Sequence, residues 1–246
     1  MNFIVLVNLL FLLGLSQAQF RSSEETDPAR PLRSEESPQR YQRKEKVLKR
    51  VARNEFRNLA QKYVPALEKI IIDNCKANGQ YDAAEKLQPT FEEMKTCLSK
   101  KKLLVTPREE LLALIEECIV EPVKQSKNCL AETQRYYPQL LSELAKSLTN
   151  FLYDDYDIIR VDLIACFPKL NNVKVATSYE QCLREVAIRT HDSREIPHTK
   201  TEFCQVFVPT AYCFTNMVKE NCNRTQGLAK FREDYVKLHK NICEEK

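Results

Sequence analysis

Apolar side chains recur at helical spacing along most of the chain. Between residues 44 and 64 they stand three to five positions apart, at Val47, Val51, Phe56, Leu59 and Tyr63. That spacing places them on one face of an α-helix. The same pattern predicts further helices near residues 66–77, 80–101, 107–120, 122–135, 137–151, 157–167, 178–190, 199–221 and 225–243. The chain is therefore predicted to be all-α, a multi-helix bundle of about eight to ten helices.

Three predicted helix starts carry side chains that can cap a first turn. Each has a hydroxyl residue followed three positions later by Glu or Gln, in the pairs Thr106 with Glu109, Ser178 with Gln181 and Thr199 with Glu202. Such capping boxes satisfy the amides that a first helical turn leaves without partners. Two prolines fall inside predicted helices, and bends are predicted there, at Pro89 and Pro209.

One segment, IIRVDLI at residues 158–164, also fits a strand. Its β-branched residues partly alternate with charged ones, which is typical of a half-buried strand. Because the neighbouring segments are helical and offer no partner strand, a buried helix is the favoured prediction. The strand stays an alternative.

The first residues have the pattern of a secretory signal. An apolar run from Phe3 to Leu15 is followed by small residues at Ser16 and Ala18, so residues 1–18 are predicted to be removed after Ala18. No Lys or Arg precedes the run, and a retained membrane anchor is the alternative, although the run is short for a bilayer span. No later segment is free of charge for long enough to cross a membrane. The mature protein is therefore predicted to be secreted, without a membrane span.

The next segment, residues 19–43, is rich in Ser, Glu, Arg and Pro and nearly free of apolar residues. It cannot bury enough surface to offset the entropy of ordering, so it is predicted to be a disordered charged tail. The dibasic pair Lys49-Arg50 would admit a processing protease and make the tail a pro-segment, whereas an amphipathic basic helix explains the same residues. Residues 44–246 are predicted to form a single disulfide-bonded helical domain.

Ten cysteines follow the signal. In the oxidising compartments through which secreted proteins pass, ten cysteines are most simply five disulfides. Zinc is the alternative for a cysteine cluster, but no two cysteines have the close spacing that zinc sites use. The predicted disulfide cysteines are Cys75, Cys97, Cys118, Cys129, Cys166, Cys182, Cys204, Cys213, Cys222 and Cys243.

Helical geometry limits how these cysteines can pair. Cys204, Cys213 and Cys222 are nine residues apart, which in a continuous helix separates their Cα atoms by about 13 to 14 Å. A disulfide needs Cα atoms within about 7 Å, so these cysteines must reach other helices. In a hairpin the partners lie equally far from the turn, which favours Cys204 with Cys243 and, by the same symmetry, Cys97 with Cys118 and Cys166 with Cys182. The cysteines left for longer connections are Cys75, Cys129, Cys213 and Cys222.

Charge and motifs exclude several classes of function. The formal net charge is +4, but residues 21–50 alone carry nine basic and six acidic groups. The rest of the chain is nearly neutral, so no nucleic-acid partner is expected. The chain has no G-x-S-x-G elbow, no H-E-x-x-H motif and no glycine-rich phosphate loop. We therefore expect no enzyme, no cofactor and no metal site.

The remaining candidate chemistry lies in short segments. For His191 and His198, in a loop-like stretch, a metal pair is the alternative to solvated side chains, but no thiolate or carboxylate pattern completes a site. The segment YDDYD at residues 153–157 could bind Ca²⁺ or carry sulfated tyrosines, whereas the favoured interpretation is that its acids begin a helix at residue 157. Asn223-Arg224-Thr225 is an N-glycosylation sequon, which predicts a glycan on a surface turn at Asn223.

Several short fragments match one known family in order and spacing. They are Asp73–Gly79, Cys118 followed by Asn128-Cys129, Asn150–Leu152, Ala165–Phe167 leading to Tyr179–Leu183, and Phe203-Cys204 with Cys213, Cys222 and Cys243. On these residues the chain resembles the insect 27 kDa haemolymph glycoprotein family, from about residue 55 onward. That family has cysteines where this chain has Gln139 and Tyr153, a paired loss expected if those two cysteines are bonded in relatives. The resemblance implies a secreted, all-helical haemolymph glycoprotein without an assigned activity, and it carries over no catalytic or ligand residues.

Two functional hypotheses follow. The first is a secreted non-enzymatic protein whose helices enclose a cavity for a small apolar ligand, such as a lipid or hormone. The second is a defence- or matrix-associated interaction protein that acts through its surface. A cleft that brings His191 and His198 together with carboxylates would favour an enzyme instead.

Overall fold

The computed structural model describes residues 67–170, 172–188 and 196–244. The predicted signal peptide at residues 1–18, the tail at 19–43 and the helix near 44–64 lie outside these residues. Within the described residues every regular element is helical, which confirms the all-α prediction. The segment at residues 158–164 is helical as well, so the strand alternative is wrong.

Eight helices and one short 3₁₀ turn make up the described part of the chain. The first four helices are α1 at residues 67–77, α2 at Tyr81–Leu98, α3 at Arg108–Cys129 and α4 at Tyr137–Asp154, with the 3₁₀ turn at Glu132–Gln134. α5 is continuous and consists of an α-helical turn, Tyr156–Ile158, a π-helical turn, Ile159–Leu163, and an α-helix, Ile164–Leu170. The last three helices are α6 at Val173–Ile188, α7 at Lys200–Asn221 and α8 at Gln226–Cys243.

Helices that follow each other in the chain mostly pack against each other. α2 packs on α3, α3 on α4, α6 on α7 and α7 on α8. α8 also packs on α4 and α5, and α5 packs on α7. α7 and α8 therefore lie at the centre of the described bundle.

The interior between α4, α7 and α8 is filled by aromatic side chains. We call these side chains the ring cluster: Phe151, Phe203, Phe207, Phe214, Phe231, Tyr235 and His239. Their contacting ring centroids lie 4.3 to 6.1 Å apart. Each large apolar side chain buried in this way stabilises the fold by about 1.5–3 kcal/mol relative to leaving it exposed. The ring cluster is therefore a main source of stability at the centre of the bundle.

Hydroxyl side chains cap α7 and α8. Thr199 accepts a hydrogen bond from the backbone N–H of Glu202, as predicted, and the Glu202 carboxylate accepts one from the backbone N–H of His198. Thr225 caps α8 by accepting a hydrogen bond from the backbone N–H of Leu228. Both caps satisfy donors that a helix start leaves without partners.

The capping boxes predicted at Thr106 and Ser178 are wrong. Thr106 accepts a hydrogen bond from the backbone N–H of Lys102, so it closes the preceding turn and does not cap α3. Ser178 lies inside α6, because Asn172 starts that helix earlier by accepting a hydrogen bond from the backbone N–H of Lys174. A local capping pattern sets a helix start only where no earlier residue provides the acceptor.

Pro122 lies inside α3, where the sequence predicted a break between helices at 107–120 and 122–135. That break is wrong. Proline removes one hydrogen bond of the helix and crowds the preceding turn. Pro122 is buried, however, and disulfides at Cys118 and Cys129 tie α3 to α2 and α1 on either side of it. Packing and these two bonds therefore outweigh the cost of the proline.

The π-helical turn of α5 lies directly beside the start of α8. A Cβ atom at Gly227 would lie 2.3 Å from Oδ2 of Asp162 and 3.5 Å from Cγ2 of Ile158. Because glycine has no Cβ atom, it leaves room for the end of the Asp162 side chain beside the start of α8. The turn between α7 and α8 therefore lies next to α5.

Candidate functional site

α7 is bonded by disulfides to three different helices. Cys204 and Cys213 lie in α7, and Cys222 directly follows its last residue. The three cysteines are nine residues apart, and each Cα lies 5.4 to 5.9 Å from that of its partner. The pairs are Cys204 with Cys243 of α8, Cys213 with Cys182 of α6, and Cys222 with Cys166 of α5. The prediction that these three cysteines reach other helices is confirmed. α7 is thus the element to which α5, α6 and α8 are covalently tied.

Two further disulfides tie the first helices to α3. Cys75 of α1 bonds Cys129, and Cys97 of α2 bonds Cys118. No cysteine of the described residues is free. The five disulfides therefore tie together every described helix except α4. α4 is held by packing on α3 and α8.

Hairpin symmetry predicts two of the pairs and fails for a third. The two pairs that it gives, both between consecutive helices, are Cys204–Cys243 and Cys97–Cys118. The predicted bond between Cys166 and Cys182 is wrong, because both cysteines bond to α7. α5 and α6 each pack on α7, so their cysteines meet α7 and do not meet each other across the short loop.

Asn223 lies in the turn between α7 and α8 and is exposed to solvent. Its Oδ1 accepts a hydrogen bond from Nζ of Lys169 on α5 at 3.1 Å. Thr225, the third residue of the sequon, is the residue that caps α8. The predicted glycosylation site is therefore on the surface and beside the Cys166–Cys222 disulfide.

His239 is buried inside the ring cluster. It is 1% exposed, and its ring stacks on Phe207 and contacts Tyr235, with centroids 4.3 and 4.5 Å apart. Its Nδ1 lies 2.8 Å from the carbonyl oxygen of Tyr235, and we assign the proton to Nδ1 because a carbonyl oxygen can only accept. Nε2 is then an acceptor, and it has no partner among the described residues. Burial lowers the pKa of His239 to about 4, so the ring is uncharged at neutral pH.

Tyr179 of α6 is a second buried polar group. It is 4% exposed, and its hydroxyl has no hydrogen-bond partner within the part of the chain that the structure describes. Burial raises the pKa of Tyr179 well above its usual value, and the nearby Tyr235 raises it further. The interior therefore holds two neutral polar groups, the His239 imidazole and the Tyr179 phenol, that have no partner among the described residues.

A buried carboxylate joins α4, α5 and α8. Asp155 is fully buried between α4 and α5, and its Oδ1 accepts a hydrogen bond from Nζ of Lys230 at 2.6 Å. Oδ2 has no partner in the described ranges. Hydrogen bonds to Asp155 and then Asp234 raise the pKa of Lys230 above its usual value. A lysine held protonated in this way is a poor nucleophile, so we interpret the pair as structural.

The two loop histidines do not form a site in the described residues. His191 lies outside those residues. His198 is exposed, and its Nδ1 is 3.5 Å from Oγ1 of Thr133. Where the structure describes the chain, no group of three or more His, Cys, Asp or Glu side chains is arranged to hold a metal ion.

The acids of the YDDYD segment are separated by the fold. Asp154 is the last residue of α4 and pairs with Arg108. Asp157 lies in the first turn of α5 and pairs with Arg160. The prediction that these acids begin a helix is therefore confirmed for Asp157 and wrong for Asp154.

Two buried amides fix the segment that precedes α7. Oδ1 of Asn74 accepts hydrogen bonds from Nε2 of Gln134 at 3.1 Å and from the backbone N–H of Ile196 at 3.4 Å. Nε2 of Gln134 also donates to the carbonyl oxygen of Ile196. These bonds tie α1 and the 3₁₀ turn to a segment more than 60 residues away, and no sequence pattern indicated them.

Sequence reasoning also missed the buried polar groups. For His239 a signal exists, because it lies four residues after Tyr235 on the buried stripe of α8. For Asp155 there is none, since the run of acids does not distinguish it from its neighbours. For Tyr179 the only signal is its place in the fragment Tyr179–Leu183.

A family model matches residues 115–244, more than half of the chain. Its description is a domain of unknown function, DUF19. The chain belongs to the DUF19 family. A search of curated proteins and a search of solved structures each found no match.

The matched part of this DUF19 protein begins inside α3 and includes all of α4 to α8. All three disulfides of α7 lie inside it, whereas the bonds at Cys75 and Cys97 join it to α1 and α2, outside it. No described helix is both long and apolar enough to cross a membrane. The resemblance to insect haemolymph glycoproteins stays a prediction.

Proposed function

We propose that this DUF19 protein is a secreted, extracellular glycoprotein without enzymatic activity. The observation that carries the proposal is the pairing of all the described cysteines in five disulfides. Such bonds persist in oxidising compartments and are rare in the cytosol. The apolar run at the start of the sequence supplies the signal that export requires. The proposed compartment is insect haemolymph, on the strength of the fragments that resemble that family.

Within this proposal, the protein carries a small apolar molecule that has a hydroxyl or a similar polar group. Nε2 of His239 and the hydroxyl of Tyr179 support this, because both are buried without a partner among the described residues. A buried polar group without a hydrogen bond costs about 1–3 kcal/mol. A ligand hydroxyl would donate to Nε2 of His239, a ligand oxygen would accept from Tyr179, and the apolar body would contact the rings. Because the ring cluster fills the interior, the ligand would have to displace part of it to lie between α6, α7 and α8.

Native mass spectrometry of the protein purified from its own secretion tests the carrier function. We expect a bound small molecule on the wild-type protein. His239→Phe keeps an aromatic ring but removes the acceptor, so it should retain less of that molecule. His198→Phe, at an exposed histidine, is the matched control and should retain as much as the wild type.

The same experiment separates the two functional hypotheses. If the wild-type protein carries no small molecule and takes up no added long-chain alcohol, the carrier function is wrong. The interaction protein that acts through its surface would then be the better proposal.

Secretion, oxidation and glycosylation are tested on the full chain expressed in insect cells. We expect the protein in the medium, with its sequence starting at Gln19 and with a loss of mass when N-glycans are removed. Alkylation without a reductant should add no label. Retention inside the cell, or uptake of label by the native protein, would contradict the proposal.

A further inference from the structure

The turn that holds the sequon is closed by hydrogen bonds to both of its functional side chains. Oδ1 of Asn223 accepts from Nζ of Lys169, and Oγ1 of Thr225 accepts from the backbone N–H of Leu228, each at 3.1 Å. The backbone N–H of Thr225 also donates to the carbonyl oxygen of Asn223 at 3.0 Å. The asparagine amide and the threonine hydroxyl are the groups that define an N-glycosylation acceptor. In the folded protein the amide oxygen of Asn223 and the hydroxyl oxygen of Thr225 each accept a hydrogen bond.

The Cys166–Cys222 disulfide closes this turn from the side of α5. Cys222 directly precedes Asn223, and Cys166 lies three residues before Lys169, about one helical turn away. Forming the bond therefore brings Lys169 to Asn223. The start of α8 lies against the same helix, with Gly227 beside Asp162. The disulfide, the lysine contact and the cap of α8 thus lie together at one place.

We propose that Asn223 is glycosylated only while the Cys166–Cys222 bond is open, so that closure of this disulfide sets how much of the protein carries the glycan. The inference rests on the proposed glycoprotein function. A bond to the residue next to the acceptor removes the freedom that the amide needs to enter a transferase site. The fraction of chains that carry a glycan on Asn223 then depends on whether glycosylation or closure of the disulfide comes first.

The two competing reactions can be written in full. In glycosylation, the amide nitrogen of Asn223 bonds to the anomeric carbon of a lipid diphosphate-linked sugar. The bond from that carbon to the diphosphate oxygen breaks, the lipid diphosphate leaves, and the proton lost by the amide passes to the solvent. In closure, the thiols of Cys166 and Cys222 form a disulfide and lose two protons and two electrons to an oxidised dithiol of the secretory compartment. Closure removes the open form that glycosylation needs, whereas a chain that is glycosylated first can still close the disulfide.

Variants of the full chain in secretory cells test the order of these reactions. Cys166→Ser removes the disulfide but leaves every residue beside the sequon unchanged. A change in glycosylation in this variant is therefore caused by loss of the disulfide and not by a change at Cys222. We expect it to convert the unmodified wild-type form into the glycosylated form. Cys182→Ser breaks the neighbouring Cys182–Cys213 bond of α7 and is the matched control, with wild-type occupancy expected. Asn223→Gln removes the acceptor asparagine, so a gel shift that disappears in this variant is assigned to the glycan on Asn223.

Occupancy is measured on total cell protein by gel shift and peptide mass, because a variant with an unpaired cysteine can be held in the cell. The double variant Cys166→Ser with Cys222→Ser has no unpaired thiol and should match Cys166→Ser. Complete occupancy of the wild type, or equal occupancy in the wild type and Cys166→Ser, would overturn the inference. A sequon left unmodified in every variant would instead overturn the glycoprotein function itself.

Discussion

The imidazole of His239 stacks on the ring of Phe207, with centroids 4.3 Å apart and ring planes 30° apart. The stack joins α8 to α7 in the interior, where His239 is only 1% exposed. A protonated imidazole here would lose its hydration and would have no described acceptor for its second N–H. The contact between α7 and α8 therefore favours the neutral ring.

We predict that the protein loses stability as the pH falls from about 6.5 to about 4. Burial lowers the pKa of His239 from its usual 6.5 to about 4, so in this range the unfolded chain binds a proton that the folded protein does not. The stabilisation is complete above pH 6.5 and is lost as the pH falls to about 4, by at most about 3 kcal/mol. Urea unfolding at several pH values across this range measures the loss.

Two histidine variants control this measurement. His239→Phe keeps an aromatic ring against Phe207 and removes the titrating nitrogen, so its stability should change less with pH than that of the wild type. His198→Phe, at an exposed position, should keep the wild-type pH dependence. If the wild type and His239→Phe lose stability equally, other groups cause the acid loss and the prediction is wrong.

Removing Lys230 leaves the fully buried carboxylate of Asp155 without its cation. We predict that Lys230→Met lowers the free energy of unfolding by about 1–3 kcal/mol. This loss is smaller than the loss expected when one partner of a fully buried ion pair is removed, because the Lys230 side chain is 56% exposed. Urea unfolding near neutral pH measures it.

Asp234→Asn is the matched control for Lys230→Met. Asp234 bonds the same lysine but is partly exposed, so its loss should change the free energy of unfolding by less than about 0.5 kcal/mol. A larger effect from Asp234→Asn than from Lys230→Met would mean that Asp155 is not the group that needs the cation.

Tyr153 holds a strained turn between α2 and α3. Leu104 has a φ of 61°, in the left-handed region that leucine rarely adopts. The Tyr153 hydroxyl accepts a hydrogen bond from the backbone N–H of Leu104 and donates one to the carbonyl oxygen of Thr106. We predict that Tyr153→Phe lowers the free energy of unfolding by about 1–2 kcal/mol and speeds amide hydrogen exchange in this turn.

Tyr212→Phe is the control for Tyr153→Phe. Tyr212 is 41% exposed, and its ring keeps the contact with Lys240 when the hydroxyl is removed. It should leave both stability and exchange near wild type. Unchanged exchange around Leu104 in Tyr153→Phe would show that packing alone holds the turn.

Two features, one set within a helix start and one within a hairpin of two helices, were predictable. The cap at Thr199 forms because its donor lies three residues away. The Cys204–Cys243 bond follows from a hairpin between consecutive helices. In both cases few alternative partners compete. A pattern of residue types is then enough to identify the contact.

Features set by the meeting of distant helices were not predictable. Cys166 bonds Cys222 because α5 packs on α7, and no spacing in the sequence specifies that choice. Asp155 meets Lys230 across 75 residues, and only the position of α8 distinguishes this acid from its neighbours. The burial of Tyr179 and His239 has the same origin, since it depends on how α6 and α8 pack. Contacts of this kind can be identified only when the packing of the helices is known.

Burial predicts the order in which a small thiol opens the disulfides of the folded protein. A thiolate must reach a sulfur atom before exchange can begin. Cys204 and Cys243 are both only partly buried, whereas Cys75 and Cys129 are 0% and 1% exposed. We predict that Cys204–Cys243 opens first and Cys75–Cys129 last, as measured by alkylation and peptide mass spectrometry. In urea the order should disappear, because unfolding exposes every sulfur, and early labelling of Cys75 in the native protein would show that α1 detaches before α8.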